Sequence, residues 1–277
     1  MRAFFLYSIL FLFLAGCTSL DDSENPFQGV SAKELFNQAK ISVQKGQYEN
    51  AVKRLEALES MYPFSEYALE SQMYLMFVYY QQKDYPSTAA TAERFIRLYP
   101  RAHNIDYAYY MKGLANFQQI RVIFANILPL DESWRSPGSQ TQAYSDFADL
   151  VQRFPNSHYK SNALQRMIYL RNMFAKRELN TANFYFARKK YVAAAERANF
   201  IIKNYPQAHC AKEALALLYS ARRALGLQKA AAEALAVYEA TYHSRPMLAN
   251  THSIHALGQA VPSKSPGQSW SQTNKLL

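Results

Sequence analysis

The chain has 277 residues, 49% of them hydrophobic and 19% charged, which is enough for a sizeable core in one or two globular units. Its net charge of +10 suggests nucleic acid, but the cations are dispersed and the densest cluster, Arg188-Lys189-Lys190, is three long. An anionic membrane surface or an acidic protein partner accounts for the same excess, so nucleic acid is not expected as a partner. Only 8 glycines suit long helices, and the 21 tyrosines and 17 phenylalanines are read mainly as filling for inter-helix seams.

At the N-terminus, Met1 and Arg2 precede a run from Ala3 to Phe13 that is apolar apart from Tyr7 and Ser8. The run is too short for a membrane span of about 20 residues and fits a signal peptide. Leu14-Ala15-Gly16-Cys17 then resembles the bacterial lipobox. That resemblance implies cleavage before Cys17, S-diacylglycerol on its thiol and N-acylation of the new amine. Residues 1–16 are thus expected as signal peptide and 17–31 as a polar, lipidated tether. Thr18, where Asp favours inner-membrane retention, is consistent with transport to the outer membrane, facing the periplasm. With Cys17 acylated, Cys210 has no partner for an intrachain disulfide.

From Ala32 the chain reads as helical hairpins. Leu35 and Ala39, then Ala51, Leu55 and Leu58, step by four and three, which predicts two helices with one buried face each. Gly46-Gln47 breaks them and Pro63 closes the pair. The small residues at Ala39 and Ala51, with Tyr48 and Pro63, resemble a tetratricopeptide (TPR) unit, which cannot bury its face without neighbours. A second unit follows at an equal offset: Tyr48 to Tyr85 and Pro63 to Pro100 are both 37 residues. A third opens at Ile105, is interrupted by an insertion over 120–139, and closes with a helix from Gln140 to Arg153 and Phe154-Pro155-Asn156-Ser157. A fourth is stretched, with a helix from Lys160 to about Lys176 continuing toward a second segment near Glu178 to Lys189. Tyr191, Ala194, Ala198, Ile201 and Pro206 then restore the repeat. A worn fifth unit starts near Cys210, and 244–277 reads as a polar, mostly disordered tail. The expected fold is all-α: a TPR-like superhelix (α-solenoid) of about five units. Units 1–3 would span 32–157 and units 4–5 would span 158–243.

No catalytic constellation is expected. His209 beside Cys210 lacks further ligands at sensible spacing, and Thr251-His252-Ser253-Ile254-His255 lacks the intervening Glu of a zinc site. There is no glycine-rich phosphate loop. Neither metal nor cofactor is expected, apart from the lipid on Cys17.

Several strings narrow the reading: Leu55-Glu56-Ala57-Leu58, Tyr62-Pro63-Phe64, Arg94-Phe95-Ile96-Arg97-Leu98, Asn104-Ile105-Asp106-Tyr107 and Met111-Lys112-Gly113-Leu114. Asp146-Phe147, Phe154-Pro155-Asn156-Ser157 and Ala175-Lys176 with Glu178 add to them. With the lipobox and the repeats, these make the chain similar to the BamD (ComL) family of outer-membrane assembly lipoproteins, over roughly Cys17 to Tyr242. The resemblance implies a non-enzymatic part of the barrel assembly machine. It implies as partners a BamA-like barrel protein bound through its POTRA domains, BamC-like and BamE-like lipoproteins, unfolded outer-membrane β-barrel proteins and outer-membrane lipid. Arg197 stands where the family has an arginine, and is expected to pair with a POTRA carboxylate. Tyr62, Phe64, Tyr67, Tyr74, Tyr107 and Tyr110 are candidate platforms of a client groove, with helix-seam packing as the competing reading. A periplasmic TPR adaptor for division or peptidoglycan coordination would share this build.

Overall fold

The computed structural model describes residues 26–119 and 138–247. Cys17, the signal peptide, most of the expected insertion and most of the expected tail lie outside these residues. Among the described residues there are ten α-helices and no strand. They are α1 (Ala32–Gln44), α2 (Tyr48–Met61), α3 (Ala68–Gln81), α4 (Tyr85–Leu98), α5 (Ile105–Gln118), α6 (Gly138–Arg153), α7 (Lys160–Ala187), α8 (Tyr191–Asn204), α9 (Ala211–Ala224) and α10 (Gln228–Tyr242). None is long and apolar enough to cross a membrane. The fold is an all-α, TPR-like α-solenoid. Contacts divide the chain into two compact units, Met1–Tyr74 and Leu75–Leu277.

In the first unit, Ser31 caps α1 by accepting the Glu34 N–H at 3.2 Å, one of the donors a helix start leaves unpaired. Leu35 and Ala39 on α1 meet Ala51, Leu55 and Leu58 on α2, and all five are fully buried. A leucine buried this completely contributes about 1.5–3 kcal/mol, so the apolar stripe rather than helix propensity holds the pair together.

The joints of the repeat are built alike in four hairpins. Gly46, Lys83, Lys189 and Gly226 all take positive φ. Each is followed by a residue of nearly constant geometry, with φ between −82° and −87° at Gln47, Asp84, Lys190 and Leu227. The N–H groups of each pair bond back to the end of the preceding helix, as Lys189 does to the Phe186 carbonyl and Lys190 to that of Tyr185, both at 2.9 Å. This doubly bonded left-handed stop satisfies carbonyls the helix end would otherwise leave open. The closing joints repeat too: Tyr62, Tyr99 and Tyr205 share φ from −125° to −132° and donate four residues back.

In the second unit each helix from α4 to α10 packs on the next, and α7 also touches α9. Ala175, Leu179, Ala182 and Phe186 of α7 interlock with Ala194 and Ile201 of α8 and with Ala214, Leu217 and Ala221 of α9. α7 is one continuous helix of 28 residues, not two segments broken near Lys176. Residues 160–187 contain neither Gly nor Pro, so nothing stops the helix. α6 likewise begins at Gly138, two residues before the predicted start.

Two features lock α4, α5 and α6 together. Gly113 of α5 lies against Phe147 of α6, so closely that a Cβ there would sit 2.6 Å from the ring. Beside it, the Asp146 side chain is only 3% exposed. It accepts from Asn116 at 2.6 Å and from Gln142 at 3.0 Å, and Lys112 lies 3.5 Å away. Lys112 in turn is 3.9 Å from Glu93 of α4, which pairs with Arg97. A buried carboxylate is tolerable only with this degree of pairing and hydrogen bonding.

Candidate functional site

Arg197 projects from α8, flanked by buried Ala194 and Ala198. Its side chain is 48% exposed, its stem resting on the helix layer and its head reaching solvent. Nη1 donates to Glu178 Oε2 of α7 at 3.0 Å, and Glu178 is only 21% exposed. The arginine therefore has an intrachain carboxylate partner, nineteen residues back, as well as a free outer edge. A guanidinium carries five donors in a planar fork, so one such bond leaves capacity for a second carboxylate.

Glu178 is also part of the wall of a cleft of about 560 Å³ between α6, α7 and α8. Tyr144 of α6, Phe174 of α7, and Phe200 and Tyr205 at the end of α8 supply its apolar lining. Their rings meet edge-on in pairs, Tyr144 with Phe174 at 6.2 Å and Phe200 with Tyr205 at 5.9 Å. Arg171 and Arg177 add positive charge, and Arg171 is held in place by two bonds to Gln207, at 2.8 and 3.2 Å. Burial, then the Glu178 carboxylate, then Tyr144, push the Tyr205 phenol upward, so it remains a hydrogen-bond donor at neutral pH. Aromatic walls with charged groups at the edge make a surface suited to gripping a protein segment rather than to transforming one. Among the described residues no group of three or more His, Cys, Asp or Glu side chains could hold a metal ion.

The six aromatic groove candidates separate by environment. In the first unit Phe64 is 99% exposed, in the loop between α2 and α3. Tyr62 beside it donates to the Val30 carbonyl at 2.8 Å. Tyr67 and Tyr74 are half-buried and flank Phe36, with ring centroids 5.2 and 5.7 Å away, and Lys40 lies over the same group. In the second unit Tyr107 and Tyr110 are both nearly buried, at 8% and 7% exposure. Tyr159 stacks on Tyr110 at 4.6 Å and lies 5.9 Å from Tyr107, and Tyr110 donates to Asn162 at 3.0 Å. These two rings fill a helix seam, contrary to the expectation that they line an open groove. They lie on the stripe of α5 that α6 and the start of α7 cover.

The family model described as YfiO, an outer membrane lipoprotein, matches residues 28–237. The chain belongs to this family. Proteins described as outer membrane protein assembly factor BamD are similar over most of its length. That of Neisseria meningitidis serogroup A is 35% identical over 251 residues, 90% of this chain and 94% of the relative. That of Vibrio cholerae is 36% identical over 217 residues, 78% and 89% of the two chains. That of Xylella fastidiosa strain Temecula1 is 33% identical over 238 residues, 86% and 81%. The chain is therefore an outer-membrane lipoprotein, lipid-anchored and facing the periplasm.

Sequence reasoning singled out Arg197 but missed its intrachain partner and the cleft beside it. Glu178 stood in one of the strings that carry the family resemblance, which was the only signal of its importance. Tyr144, Phe174, Phe200 and Tyr205 come from three helices, and no spacing within one helix could have joined them.

Proposed function

We propose that this chain is a non-enzymatic scaffold of an outer-membrane β-barrel assembly complex. Its second unit binds a POTRA domain of the barrel-forming partner, and its first unit meets unfolded barrel clients. The relatives named as assembly factors support the general role. The reading rests on one observation: Arg197 is half-exposed and pairs with Glu178, a wall residue of an aromatic cleft, which answers its charge only in part. An incoming carboxylate can share or take over the guanidinium while the partner's apolar side chains enter the cleft. In the first unit Phe64, with no burial to lose, is the strongest client platform, supported by Tyr62, Tyr67 and Tyr74. BamC-like and BamE-like lipoproteins complete the proposed set of partners, a reading supported only by the family's general role in assembly.

The experiment is a charge-swap cycle read by co-purification from gently solubilised envelope. Arg197→Glu should weaken retention of the barrel protein, and an acidic-to-basic change on its POTRA domain should recover part of it. Losing a desolvated interface pair costs roughly 2–5 kcal/mol, whereas a loose surface pair is worth about 0–1. Unchanged binding by folded Arg197→Glu would eliminate this contact. Photo-crosslinkers at Phe64 and Tyr62 should capture nascent barrel proteins; capture only from C-terminal positions would refute the first-unit placement.

A further inference from the structure

The cationic run Arg188-Lys189-Lys190 takes no part in the cleft. It forms the turn between α7 and α8, and all three side chains are exposed. None of them makes an ion pair among the described residues. Lys189 holds φ +58° at a joint where the first and last hairpins place glycine. The second hairpin also has a lysine, Lys83, at this joint, so the position tolerates either residue and glycine can replace Lys189 without strain. Apolar side chains sit among the cations. Phe184 is 44% exposed with the Arg188 guanidinium 3.5 Å over its ring, and Val192 is 63% exposed.

The neighbouring hairpin presents the same chemistry at the same end. α7 packs against both α8 and α9, and successive antiparallel helices bring the α7–α8 and α9–α10 turns to one end of the layer. At the α9–α10 turn Leu227 is 51% exposed, and Arg223 and Lys229 are exposed beside it. No Asp or Glu occurs in 179–195 or in 214–232. The asymmetry extends further: residues 158–247 carry fifteen Lys and Arg against five Asp and Glu, a net +10 equal to that of the whole chain.

We propose that this end of the second unit docks on an anionic phospholipid bilayer. Each cation near such a surface is attracted by the lipid phosphates, over a range set by the screening length. Phe184, Val192 and Leu227 suit the interfacial zone, where apolar side chains beside cations gain from both layers. A free phosphate in solution would use the charges and leave these three side chains in water. An acidic protein would call for cations fixed toward particular carboxylates, whereas Lys189 and Lys190 are flexible point charges suited to a diffuse field. A lipid-anchored chain is already held at a bilayer, so a contact too weak to recruit a free protein is still occupied. This docking is independent of the client and POTRA readings, and its vesicle assay contains neither partner.

The test uses the whole chain from residue 17 with Cys17→Ser, so that no acyl anchor masks the contact. It should co-sediment with phosphatidylethanolamine vesicles containing phosphatidylglycerol, not with phosphatidylcholine vesicles, and should be released by about 0.5 M salt. Lys189→Gly with Lys190→Gln should lower the partition roughly 10- to 30-fold. Glycine suits the positive φ, so the fold is retained in that variant, and circular dichroism checks it. Phe184→Ser with Val192→Ser should lower the partition severalfold and leave the salt dependence in place. Equal binding to both vesicle types, or wild-type binding by the cation variant, would overturn the proposal. So would displacement by millimolar inorganic phosphate at constant ionic strength, which would mark a free-anion site. Loss of barrel-protein capture by the cation variant with vesicle binding intact would reassign this end to a protein partner.

Discussion

A single methyl group decides the fit at position 113. A Cβ there would meet the Phe147 ring at 2.6 and 2.7 Å, and both helices are fixed on their other faces. Gly113→Ala should therefore destabilise the protein by about 1–3 kcal/mol, read as a lower urea midpoint. Phe147→Leu in the same chain should restore part of the loss, because the clash is with that ring. The buried tyrosines make a second residue-scale prediction. Burial, with Tyr159 and Tyr110 nearby, pushes the Tyr107 phenol far above its ordinary value of 10.0. Burial also raises Tyr110, against the opposing effect of Arg166. The folded chain keeps these protons where the unfolded chain releases them, so stability is whole below about pH 10 and falls as pH rises beyond it. Urea midpoints should be level from neutral pH to about 9 and then decline, and Tyr107→Phe should flatten that decline.

At the scale of elements, the Asp146 network ties α5 to α6 alongside the apolar fit of Gly113 on Phe147. Lys112 and Asn116 from α5 and Gln142 from α6 all converge on one carboxylate. Asp146→Ala removes the acceptor and leaves the Asn116 amide and Lys112 seeking water in a closed seam. A loss of about 2–4 kcal/mol in urea unfolding is expected, less than for a fully enclosed pair because Lys112 is 22% exposed. Asp146→Asn, which retains the shape and one acceptor, should lose less. The hairpin joints work on the same scale. The left-handed residue at each stop, glycine in two cases and lysine in two, holds consecutive helices antiparallel and so sets which side chains share an end.

At the scale of the whole molecule, anchoring and scaffolding are separable. Cys17, outside the described residues, is proposed as the acylated residue on the strength of Leu14-Ala15-Gly16-Cys17. Cys17→Ala should abolish fatty-acid labelling and shift the protein out of the membrane fraction, while its helices and its binding to an isolated barrel partner persist. Unchanged lipid labelling would refute the assignment. On this proposal several acyl chains at one site supply the stable hold, which would exceed what one chain or a few lysines can provide.

Composition and spacing were enough to determine the class of this protein. Stripes at three and four residues, small residues where helices cross, and equal 37-residue offsets specify helical hairpins whatever their environment, because each rule acts within one helix or one turn. The buried set Leu35, Ala39, Ala51, Leu55 and Leu58 was legible for that reason. So were Ala194, Ala198 and Ile201, all fully buried. Arg197 could be placed at the edge of that stripe, but Glu178 could not be named as its neighbour, since pairing across α7 and α8 depends on how the two helices lie against each other. The aromatics show the same limit. Tyr107 and Phe64 look alike in a sequence, yet one is sealed under Tyr159 and the other is almost wholly in solvent. Periodicity says that a ring lies on a face; only the packing of the next helix decides whether that face is core, cleft or open surface.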